Sequence, residues 1–188
     1  MAGGDKTKGS CASLAFAYAG NTCGLDVTDF RDGVSRSTFS RTFNIETLLK
    51  VANANTETHM VKKEAKETAD IIKNIPLNKE FMLVAGKHAS IIRRTEENGL
   101  EYLELQHATL NGWKPFVYEY KTPWGTEKKG VADTLHHRFG CLKTASKFAG
   151  MTLEHRIFLT DVDSFEPTVE FKEILGYINT DPDKQVKG

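Results

Sequence analysis

FMLVAGKHASIIRRTEENGLEYLELQ, residues 81–106, decides how this chain folds. FMLVA is a continuous apolar run of strand length, interrupted by Gly86-Lys87. HASIIRR, at 88–94, is a second strand, and LEYLELQ, at 100–106, a third. Short runs rich in β-branched and aromatic residues, separated by Gly-bearing turns, predict antiparallel hairpins. A loop over 95–99, with Gly99 at a position needing positive φ, sets the second hairpin's register. Arg94 then faces Leu100, Ile92 faces Tyr102, Ile91 faces Leu103 and His88 faces Gln106. A one-residue slip would send Gln106 to the opposite face.

Outward from this sheet the periodicity changes. FVYEY, at 116–120, reads as a fourth strand and HRIFLTDV, at 155–162, as another. PWGTEKKG reads as loop, VADTLHHRF as a short helix before Gly140, and SFEPTVEFKEILGYI as an amphipathic tail. Upstream the pattern is helical. Residues 61–74 place Val61, Ala65, Ala69 and Ile72 on one stripe and charges, Glu64 among them, on the wet face, until Pro76 stops the run. Asn44 reads as the cap of a helix over 45–54. GLDVTDFRDG and SRSTFSRTF read as turn and loop. Helices first and an antiparallel sheet after them predict an α+β fold.

KGSCASLAFAYAG, at 8–20, is the most informative of these helices. Ser10 is a good N-cap and Gly20 a good C-cap. Cys11, Leu14, Ala15 and Tyr18 share one face, so a short buried helix opens with a cysteine in its first turn. A thiol is a good nucleophile only as thiolate, and the positive end of a helix dipole favours that form. The first backbone N–H groups of a helix have no intrahelical acceptor and serve as oxyanion donors. By position alone, Cys11 is equally a nucleophile or a small buried side chain. His88, at the start of a strand, adds an imidazole, and Gln106 opposite it adds a side-chain amide able to fix that ring's tautomer.

Composition narrows the field. The chain has 188 residues, enough for one domain with its own core. The reading is a flexible segment over 1–9 followed by a single domain over 10–188, with the part beyond about 121 unassigned by motif. Lys plus Arg and Asp plus Glu both number 25, a balance that lacks the electrostatic footprint of a nucleic-acid binder. Nor does it favour an anionic membrane. Three widely spaced cysteines, Cys11, Cys23 and Cys141, make no disulfide framework and no CxxC metal pair. MAGGDKTKGS has no apolar h-region, and no run approaches the ~20 apolar residues of a membrane span. The expectation is a protein acting in the cytoplasm or delivered as part of a larger one.

Cysteine at the start of a buried helix, Gly-x-His opening a strand (GKHASIIRR) and a polar amide ending the next (EYLELQ) resemble the papain-like cysteine hydrolases in their unpermuted order. The likeness covers residues 8–107 by motif order, and is strongest to compact bacterial and phage-associated papain-fold domains, some of them toxins. It implies a papain-like fold and a triad of Cys11 as nucleophile, His88 as base and Gln106 as orienting group. It also implies an amide substrate in a protein or peptide, a peptidoglycan peptide included, with no cofactor and no metal. Two departures stand out. GGDKTKG, before Cys11, holds no Gln or Asn to complete an oxyanion hole, a loss that costs ~10²–10³ in rate. Gln replaces the usual Asn as orienting group. A catalytically decayed binding or virion-associated module is therefore the alternative.

Two other constellations compete. His136, His137 and Cys141 in HHRFGC, with His155, would make a metal site, but adjacent helical histidines point about 100° apart. The plainer reading is a polar helix end before a buried cysteine. Arg31 or Arg36, SRSTFS and Glu104-Leu-Gln106 loosely follow the order of ADP-ribosyltransferases, with the acidic pair wrong. Trp113 and Trp124 read as loop residues, either lining a substrate groove or packing.

Overall fold

The central hairpins form as the residue pattern dictates. In the computed structural model, which describes residues 11–27, 39, 41–105 and 112–176, β2 (Glu80–Ala85) pairs antiparallel with β3 (His88–Thr95), and β3 with β4 (Gly99–Glu104). Ile92 faces Tyr102, Arg94 faces Leu100 and Thr95 faces Gly99, which has φ +67°. The expected register therefore holds across this part of the hairpin. Gln106 lies outside the described residues, as do 1–9, Ser10, Arg31, Arg36 and His107. The architecture is α+β: helices and an antiparallel sheet.

The chain divides into two compact units, one of residues 1–56, 104–112 and 160–188, the other of 57–103 and 113–159. The first unit contains α1 (Cys11–Thr22), α2 (Thr42–Val51), a 3₁₀ turn (Val162–Ser164) and α5 (Val169–Leu175). Alanines at 12, 15, 17 and 19 favour the helix in α1 and add little bulk. The helix is accordingly buried on nearly all sides rather than along one stripe. Phe16, fully buried, meets the rings of Phe39, Phe165 and Phe171 at 5.9, 6.3 and 6.4 Å. Gly20 is an interior close-approach position, not the expected cap. A Cβ there would lie 2.7 Å from Leu175 Cδ1. The left-handed residue is Gly24, φ +88°, and Leu25 donates its N–H back to the Gly20 carbonyl at 2.9 Å. In α2 the cap is Arg41 rather than Asn44, because Ile45 already donates to the Arg41 carbonyl at 3.0 Å.

The second unit carries a six-stranded sheet in the order β1–β10–β2–β3–β4–β5, with β1 at Thr56–Val61, β5 at Gly112–Pro115 and β10 at His155–Asp161. Val61 ends a strand instead of starting a helix, and α3 runs Glu64–Ile72. Its stripe still reaches the core: Val61, Ala65 and Ile72 pack with Leu83, Ile92, Tyr102, Phe139 and Ile157, and Ala69 packs against them. Burying the Val, Leu, Ile and Phe side chains among these contributes roughly 1.5–3 kcal/mol each. FVYEY is not one strand. Phe116 turns into the core, and β6 (Tyr118–Thr122) forms a separate ribbon with β7 (Gly125–Lys129), within the stretch expected to be loop. Trp113 lies in β5, under the Arg93 guanidinium at 3.9 Å, and Trp124, 95% exposed, caps the ribbon's turn. After β7, α4 (Val131–Thr134) continues into a π-helical turn, Leu135–Phe139. A small ribbon of β8 (Lys147–Phe148) and β9 (Met151–Thr152) precedes β10.

Candidate active site

Cys11 is the first described residue of α1 and is half-buried, whereas the seven residues after it include six that are fully enclosed. It belongs to the first unit, as does Cys23. None of the three cysteines is in a disulfide. Cys23 follows the end of α1, where its Sγ lies 3.2 Å from the Gly20 carbonyl, and burial raises its pKa. Cys141 is wholly buried in the second unit. Burial, with the Glu64 carboxylate nearby, pushes its pKa up to about 12, so it stays a neutral thiol.

His88 belongs to the second unit and opens β3 half-buried, opposite Ala85. The LHHRFGC segment, unassigned by sequence, packs beside it. The Phe139 ring meets the imidazole edge-on, with centroids 4.9 Å apart at 86°. Phe139 also stacks on Phe116 at 5.7 Å and meets Tyr102 at 6.1 Å, giving the imidazole an aromatic wall. The turn before His88 is fixed from two sides. Lys87 donates its backbone N–H to the Phe139 carbonyl at 2.7 Å, and Gly86 donates to Glu64 Oε1 at 3.0 Å. The other Glu64 oxygen accepts the Leu142 N–H at 2.9 Å. Glu64 is thus buried, not on the wet face, because two backbone donors replace its water. Sequence periodicity could not reveal this, since both donors come from distant segments.

The HHRFGC constellation does not form a metal centre, and no group of three candidate ligands occurs among the described residues. His136 Nδ1 is 2.8 Å from the Cys141 carbonyl, and His155 Nε2 is 2.9 Å from Ser146 Oγ. The second unit also has an open cleft of about 270 Å³, bordered by Tyr102, Lys114, Val117, Glu119, Thr134 and Arg138. Among the described residues no helix is long and apolar enough to cross a membrane.

Comparison with family models, curated proteins and solved structures finds no match to this chain.

Proposed function

We propose that the chain is a thiol-dependent hydrolase of amide bonds with a papain-like fold. Cys11 Sγ loses its proton to His88 and attacks the amide carbonyl. His88 returns that proton to the leaving nitrogen as the C–N bond breaks. Water, deprotonated by the same imidazole, then cleaves the thioester and restores the thiol. Gln106 is the orienting group in this reading. The substrate is a protein or peptide, and no cofactor or metal takes part. Peptide cleavage, side-chain deamidation and peptidoglycan amide hydrolysis all use these groups.

The observation that carries the reading is the contrast among the cysteines. Cys11 is half-buried and is the first described residue of a buried helix, while Cys141 is sealed and Cys23 follows the helix's C-terminal end. His88, held by a turn with buried bonds and an aromatic wall, has the fixed setting that a general base requires. Intact-mass analysis after incubation with amide-reactive electrophiles and candidate peptides tests it. A covalent adduct or substrate turnover in the wild type, absent in Cys11→Ala, is expected. Turnover that survives Cys11→Ala would refute it.

The lack of Gln or Asn in GGDKTKG supports a second reading, a decayed module of the same fold that binds without cleaving. That reading predicts an inert Cys11 thiol.

A further inference from the structure

The cleft of the second unit has a charge pattern of its own. Lys114, from β5, and Arg138, from the π turn, border it, and neither has a side-chain partner among the described residues. The acid on its border, Glu119, is already engaged by Lys128 Nζ at 2.9 Å. Two cations without counter-charges therefore face one carboxylate that has one. Tyr102, 5% exposed with its ring packed on Phe116 and Phe139, lines the same space, and Pro115 and Val117 add an apolar wall. The volume of about 270 Å³ falls just below the usual range for drug-sized ligands, about 300–1,000 Å³, and suits a molecule of amino-acid size.

We propose that this cleft binds the carboxylate of a small acid with an apolar body. Arg138 offers a planar fork matched to a carboxylate, and Lys114 a second, point-like charge. The apolar body rests on Pro115 and Val117. Phosphate has no apolar body to rest on Pro115 and Val117 and is expected to bind more weakly than the acid. Nothing in this site depends on the chemistry of Cys11.

The same group occurs on free organic acids and on acyl amino acids or peptide C-termini. Titration of the full chain followed by amide ¹H–¹⁵N shifts, with N-acetyl-leucine, N-acetyl-leucinamide, isocaproate and inorganic phosphate as probes, tests the site. Saturable shifts at Lys114, Val117, Thr134 and Arg138 are expected with at least one acid. Affinity should fall about tenfold for the uncharged amide, and by a similar factor in Arg138→Gln and Lys114→Gln. Tighter binding of N-acetyl-leucine identifies an acyl amino acid or C-terminus as the source, and tighter binding of isocaproate a free organic acid. No saturable shift with either acid, equal affinity for the amide, unchanged affinity in both variants, or a preference for phosphate would overturn the proposal. Both substituted side chains reach solvent, and the spectra themselves report whether each variant is folded.

Discussion

Lys87 donates its backbone N–H to the Phe139 carbonyl at 2.7 Å, which ties the β2–β3 turn to the end of the π turn. The bond requires a close backbone approach that only Gly86 permits. Its φ is +60°, and a Cβ would lie 2.4 Å from the Phe139 oxygen and 2.8 Å from the Cys141 nitrogen. Gly99 has φ +67° but open space around it. Gly99→Ala should therefore cost only the left-handed strain, about 1–2 kcal/mol. Gly86→Ala should add the steric term, for about 3 kcal/mol or more. Urea unfolding of both variants checks this, and equal losses would show that the turn shifts without resistance.

Glu64 holds the same region through two buried backbone donors, Gly86 N–H and Leu142 N–H. Glu64→Gln leaves one oxygen and one NH₂ where two acceptors are needed, so one donor is left facing another. The expected loss is about 2 kcal/mol by denaturant unfolding. A change within a few tenths would mean that water replaces the carboxylate.

Cys141 gives a pH-dependent stability of known sign. Its folded pKa, pushed up to about 12 by burial, exceeds the ~8.5 of an unfolded thiol. Below the unfolded value both states keep the proton and stability is intact. As pH rises past it, the unfolded chain releases its proton first, and stability falls until the folded thiol also titrates. The contribution of this group approaches ~1.4 kcal/mol per pH unit between about pH 9 and 11. Cys141→Ala should start less stable and decline less steeply over that range. Parallel profiles for the two proteins would contradict the assignment.

The legible parts of the fold are those where one face is apolar and the turn is chemically marked. FMLVA, HASIIRR and the first five residues of LEYLELQ form strands as read, and the second hairpin keeps its expected register at Ile92–Tyr102 and Arg94–Leu100, because burial fixes the side-chain period and Gly99 fixes the turn. The β6–β7 ribbon was invisible for the opposite reason. Its pairs are polar, Glu119 with Lys128 and Tyr120 with Glu127, so no alternation marks it. Glu64 reads as solvated on any helical projection, because its partners are backbone groups 22 and 78 residues away. The π turn at Leu135–Phe139 departs from the 3.6-residue period altogether and hides the contact of Phe139 with His88. Of the candidate triad, the strand-opening position of His88 was readable from the Gly86-Lys87 turn before it, whereas the capping residue expected before Cys11, Ser10, lies outside the described residues and Gly20 is not the cap. The expected pairing of His88 with Gln106 lies beyond the described residues.

In the proposed function Cys11 is a nucleophile activated by His88. The most direct measurement of this activation is the rate of iodoacetamide alkylation at pH 6, resolved by peptide mapping, in the wild type and in His88→Ala. Cys23 is the fair reference, being half-buried like Cys11. Cys11 is expected to react at least about tenfold faster than Cys23, and His88→Ala to remove the difference. Equal rates for Cys11 and Cys23, or a fast Cys11 unaffected by His88→Ala, would contradict it.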